Sequence, residues 1–111
     1  MDYPQFMREL PFLDIPFADE VVSTNAVRSD AGLVVFFTVK QDLEVPEHSH
    51  GPQWGTIFSG RMELTVDGKK RTCVPGDTWD IPAGTVHSAK LFAGSRLMDV
   101  FAEPDRYPIK S

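Results

Sequence analysis

The sequence predicts an all-β fold, and three observations carry the prediction. Turn-forming pairs recur at nearly constant spacing: Ser59-Gly60, Asp67-Gly68, Pro75-Gly76 and Ala83-Gly84 follow one another every eight residues, and Ala93-Gly94 comes ten residues later. Between the turns the chain alternates, as in Arg61-Met62-Glu63-Leu64-Thr65-Val66-Asp67, where apolar side chains hold only the even positions. No window of ten or more residues carries the apolar stripe of an amphipathic helix. Short strands with turn signals every ~8–12 residues read as a sandwich or barrel.

The elements follow in order. Pro4, Pro11 and Pro16 interrupt the first segment, so residues 1–20 are read as an extended arm with room for one helical turn at Phe6, Met7 and Leu10. The arm is expected to lie on the barrel or on a partner subunit. Val21 to Arg28 reads as a first strand, ended by Ser29-Asp30-Ala31-Gly32. Leu33 to Val39 is an unbroken β-branched and aromatic run, the pattern of a central strand buried on both faces. Asp67-Gly68 is a strong hairpin signal because both residues tolerate the positive φ angles of a type I′ turn. Lys69, Lys70 and Arg71 after it read as the solvated start of a strand, and Leu97 to Phe101 closes the barrel core, residues 33–101.

The bulk properties bound the function. A chain of 111 residues fits one domain, 1–111. Hydrophobic residues make up 41% and charged residues 24%, ordinary for a globular protein, and a net charge of −5 argues against nucleic acid. One cysteine, Cys73, cannot make an internal disulfide and is read as a small core or interface residue. The N-terminus lacks an apolar signal region, and no stretch approaches the ~20 apolar residues of a membrane helix. The expectation is a cytoplasmic protein with no membrane partner.

His48 and His50 flank Ser49. On a strand, residues two apart share a face about 6.5–7 Å apart along the chain, so both imidazoles can converge on one ion. That pair alone is a weak signal; its surroundings are more specific. His48-Ser49-His50-Gly51-Pro52-Gln53, with Gly60 seven residues on, resembles the first motif of the cupins: two histidines, a glutamate or glutamine, and a turn glycine. Gly76, Pro82, Gly84 and His87 repeat the spacing of the second cupin motif, with Leu91 where an asparagine is often found. The resemblance spans about residues 33–101 and implies a small single-domain cupin of the type 2 conserved-barrel kind, a double-stranded β-helix or jelly-roll barrel. It implies that His48, His50 and His87 ligate a metal and that Gln53 stands where the fourth ligand usually lies. All three histidines of the chain fall on motif positions. The implied cofactor is one divalent transition ion: iron, zinc, nickel, manganese or copper. A cupin that has lost its metal and keeps the histidines as polar core residues is the alternative.

Gln53 either offers a neutral carbonyl oxygen to the ion or hydrogen-bonds a bound water. Lacking a carboxylate, the site would be weaker for metal but more positive, and suited to a ligand bringing its own negative charge, such as a carboxylate, enediolate or phenolate. By the two-residue period Gln53, Gly55 and Ile57 face inward, and Gly55 is expected to leave open space beside the metal. Trp54, Thr56 and Phe58 then face outward, and two exposed aromatics on one face favour a homodimer. Asp80 and Asp99 interrupt apolar strands and are the weak catalytic candidates: each is expected on the solvent side, or else is an inward acid near the site. Asp77 is expected to cap its turn. The function expected from this resemblance is a metal-dependent enzyme, with dioxygenase, isomerase, decarboxylase or lyase chemistry, acting on a small anionic or oxygen-rich molecule. The alternative is a non-catalytic binding or sensing module with the metal as anchor.

Overall fold

A computed structural model describes residues 1–110. One short helix, α1 (Gln5–Arg8), precedes nine strands: β1 (Val22–Ser29), β2 (Gly32–Val39), β3 (Leu43–His48), β4 (Gln53–Ser59), β5 (Met62–Val66), β6 (Lys69–Cys73), β7 (Thr78–Ile81), β8 (His87–Leu91) and β9 (Arg96–Phe101). They form a five-stranded sheet, β1-β2-β9-β4-β7, facing a four-stranded sheet, β3-β8-β5-β6. Every pairing is antiparallel. This is the jelly-roll barrel expected, with apolar inner faces packed against each other. Among the described residues no helix is long and apolar enough to cross a membrane.

The turns fall where the glycines placed them. Asp67 (φ 51°) and Gly68 (φ 76°) adopt the left-handed pair of a type I′ hairpin between β5 and β6. The Asp77 carboxylate accepts from the Val74 N–H at 2.8 Å and holds the turn before β7. Cys73 is fully buried in the core, as expected.

Register sorts the interior into three levels. At the first, Leu33, Phe101 and Gln53 of the five-stranded sheet stand level in one row, and His48, His87 and Val66 make a row on the other sheet. At the second, Val35, Asp99 and Gly55 make one row and Val45, Ala89 and Leu64 the other. At the third, Phe37, Leu97 and Ile57 make one row and Leu43, Leu91 and Met62 the other. The third level lies four residues from the first along most strands, about 13 Å away.

Two expectations need correction. β2 is interior to its sheet, flanked by β1 and β9, but only its inward side chains Leu33, Val35 and Val39 are fully buried. Val34, Phe36 and Thr38 lie on an outer face that no second layer of strands covers. The N-terminal arm is also not simply extended. It forms α1, then wraps the edge of the five-stranded sheet. Tyr3 lies on the outer face, edge-on to Phe36 and Phe58, and its hydroxyl donates to the Phe37 and Leu97 carbonyls at 2.9 and 3.2 Å. The Asn25 amide then donates to the Arg8 and Leu10 carbonyls, the Ala26 N–H to the Pro11 carbonyl, and the Leu13 N–H to Thr24 Oγ1. These bonds satisfy the free edge of β1, which would otherwise invite strand pairing. Ile15 and Phe17 finally reach the interior cavity.

Candidate metal centre

The three histidines meet at one end of the barrel. His48 ends β3 and His87 opens β8, directly opposite it in the register. His50 lies beyond β3 in the loop to β4, so a chain turn rather than strand pleating brings it beside His48, contrary to the expectation of a shared strand face. Ring centroids lie 4.2 Å apart for His48–His87, 4.9 Å for His50–His87 and 5.3 Å for His48–His50. One ring nitrogen from each lies within 4.8 Å of the others, close enough to converge on one ion.

Their tautomers are set by the backbone. Each Nδ1 meets a carbonyl oxygen: Pro46 for His48 and Gly51 for His50, both at 2.8 Å, and Thr85 for His87 at 2.9 Å. A carbonyl can only accept, so Nδ1 carries the hydrogen, which in a neutral ring leaves the Nε2 lone pair for a ligand. This is the outer-shell arrangement that orients metal-bound histidines. Burial pushes the pKa of His50 and of His87 down, and the positive charge of Arg106 adds to that, while the Gly51 and Thr85 carbonyls pull the other way. Neutral imidazole, the ligating form, is favoured.

Three buried polar atoms here lack any hydrogen-bond partner among the described residues: His50 Nε2, His87 Nε2 and Gln53 Oε1. Orphaned buried acceptors are costly, and a cation answers all three at once. The donor set therefore fits a divalent ion, with Gln53 available for it through its amide oxygen.

The other half of the site comes from the five-stranded sheet. Gln53 Nε2 and Trp79 Nε1 both donate to Asp99 Oδ1, at 2.9 and 2.7 Å. Asp99 is 6% exposed and lines the cavity beside the histidines, which corrects the expectation that it faces solvent. Burial pushes its carboxyl up to about 6, against the lowering effect of its two donors. No hydrogen bond reaches Oδ2 among the described residues. Asp80, by contrast, is exposed on the outer face and next to Trp54 in the register, and takes no part in the site.

Gly55 does not open space for a ligand. It stands between Trp79 and Asp99 in the register, and a Cβ added to it would run into the indole nitrogen and the Asp99 carboxylate. The missing side chain lets those two groups touch.

The C-terminal segment supplies residues that sequence reasoning missed. Glu103 Oε1 accepts from the Gly51 N–H at 2.6 Å and lies 3.7 Å from His50 Nδ1. Tyr107 lines the cavity, edge-on to Phe101, and Arg106 stacks on its ring at 4.4 Å. Arg106 Nε is buried without a partner among the described residues. These residues lie past the last strand and carry no periodic signal. The cavity enclosed by both sheets and the arm measures about 70 Å³.

The family profile described as Cupin domain matches residues 35–96. The chain belongs to the cupin family. Its fold is shared with KdgF from Halomonas sp. (23% identity over 89% of this chain and 90% of that one, TM-score 0.74). It is shared equally with an RmlC-like cupin from Shewanella frigidimarina NCIMB 400 (22% identity, 89% and 87% covered, TM-score 0.75). Oxalate decarboxylase from Bacillus subtilis contains a similar unit (18% identity, TM-score 0.69); 89% of this chain aligns with 28% of that longer one. No curated protein matches the sequence.

Proposed function

We propose that the protein is a metal-dependent enzyme acting on a small anionic organic molecule, with His48, His50, His87 and Gln53 holding one divalent ion. The observation that carries this reading is the set of orphaned acceptors, His50 Nε2, His87 Nε2 and Gln53 Oε1, beside a buried carboxylate whose second oxygen is unengaged. The ion supplies Lewis acidity, drawing electron density from a bound carboxylate or carbonyl. Asp99 Oδ2 takes a proton from the substrate carbon next to that carbonyl and returns it, while Gln53 and Trp79 hold Oδ1 and so aim Oδ2. The electron pair left on carbon spreads into the neighbouring carbonyl. Arg106, whose charge reaches both buried histidines, favours an anionic ligand. Taking a proton from carbon and returning it is the chemistry of an isomerase.

The test is metal analysis of protein purified without added metal, then exchange of carbon-bound hydrogen in D2O, followed by NMR on a panel of 2-oxo acids. About one ion per chain and metal-dependent exchange, abolished in Asp99→Asn with metal retained, are expected. Metal without exchange in any member would favour the non-catalytic binding module.

The same reading includes a second copy of the chain on the outer face of the five-stranded sheet, where Trp54 (41%) and Phe58 (38%) are exposed. Buried, unpaired Cys73 fits a reducing compartment and hence the cytoplasm.

A further inference from the structure

The cavity has two unlike ends. Its polar groups, the three histidines with Gln53, Asp99, the Trp79 indole, Ser88 and Tyr107, belong to the first and second levels or lie beside them. At the third level the lining is Phe37, Leu43, Met62, Leu91 and Leu97, and none of these side chains donates a hydrogen bond, the Met62 thioether being only a weak acceptor. Protein interiors leave few voids larger than a water molecule. A cavity of about 70 Å³ has room for roughly five waters, and those at the deep end would meet only hydrocarbon. Such water gains by being displaced by an apolar group, whereas a hydroxyl placed there would be buried without a partner.

We infer that the ligand is amphipathic: a carboxylate with an adjacent carbonyl oxygen at the histidine end, and a bare hydrocarbon tail of a few carbons directed at Phe37, Leu43, Leu91 and Leu97. This rests on the proposed metal centre and narrows its substrate class, setting polyhydroxylated acids aside. Leu91 then selects for tail length, since it lines the cavity at the third level from β8.

The test uses cobalt(II)-loaded protein titrated calorimetrically with straight-chain 2-oxo carboxylates of three to seven carbons, and with 2-oxogluconate as the hydroxylated six-carbon counterpart. The cobalt absorption spectrum reports the head group independently of the tail. Affinity is expected to rise about fourfold per methylene until the cavity is full, so 2-oxohexanoate should bind roughly sixtyfold more tightly than the three-carbon acid. Leu91→Phe should reverse that gain for the longest members and leave the three-carbon acid unchanged. The series on the unsubstituted protein decides the matter even where Leu91→Phe does not fold. Flat affinity along the series, or 2-oxogluconate binding as tightly as 2-oxohexanoate, with cobalt bound, would overturn the apolar tail alone. Failure to bind cobalt would overturn the metal centre and this inference with it.

Discussion

The two sheets contribute opposite chemistry to one site. The four-stranded sheet brings His48 and His87, which face each other across β3 and β8, and its loop brings His50. The five-stranded sheet brings Gln53, Trp79 and Asp99, held round the gap at Gly55. On the proposed reading, one side would hold a cation and the other a proton. Their outer faces differ as sharply. On the four-stranded sheet Glu44, Lys90 and Glu63 stand level as an alternating charge ladder, and Lys70 pairs with Glu63 at 2.7 Å. On the five-stranded sheet Val27, Val34, Val100 and Trp54 stand level as an apolar row. The first is a face finished for water. The second keeps apolar side chains exposed, and the arm covers only part of it through Tyr3.

The largest expected effect breaks the histidine side. His87→Ala removes one of the three proposed ligands and should weaken divalent metal binding by on the order of a hundredfold or more, as read by chelator competition. Asp99→Asn should leave that affinity within a few-fold. Equal losses in both variants would mean that the two sheets do not divide the work.

Next comes the acid side in metal-free protein. The folded pKa of Asp99, about 6, lies above its unfolded value of 3.8, so folding takes up a proton between them. Its contribution to stability is therefore full below about pH 4 and is lost as pH rises through about 6, by about 3 kcal/mol as an upper figure. His50 and His87, lowered and in the same cavity, run the other way, and their contribution grows as pH rises toward neutrality. The difference between the parent and Asp99→Asn isolates the carboxyl. Urea unfolding from pH 4 to 7 should show Asp99→Asn gaining on the parent as pH rises; parallel curves would contradict the burial of that charge.

Gly55→Ala sharpens the same side at smaller scale. The added methyl meets the indole and the carboxylate, costing about 1–3 kcal/mol and separating the Trp79–Asp99 pair. A neutral substitution would show that the pair can move aside. The smallest effects belong to the outer faces. Trp54→Glu should shift the protein to monomer in light scattering, whereas Glu63→Gln should leave both mass and melting temperature unchanged.

What could be read from the sequence was local. Turn glycines, the alternation through Met62, Leu64 and Val66, and the spacing of His48, His50 and His87 are each written in a few consecutive residues. The Asp99 cluster is not, because register joins Gln53, Gly55, Trp79 and Asp99 across separations of up to 46 residues. Two signals for it were nonetheless present. Asp99 shares its strand face with Leu97 and Phe101, both apolar, which argues for the inside. A glycine within a strand also marks close approach of a neighbour more often than empty room. Glu103, Arg106 and Tyr107 had no such signal, since irregular chain after the last strand carries no periodicity.

The contact between Trp79 and Asp99 makes the protein its own optical instrument. Only two tryptophans exist, Trp54 on the surface and Trp79 buried with its N–H against the carboxylate. With Trp54 replaced by Phe, the emission reports from Trp79 alone. A negative charge appearing 2.7 Å from the indole nitrogen should move that emission, so the proton on Asp99 can be followed by light, without substrate or label.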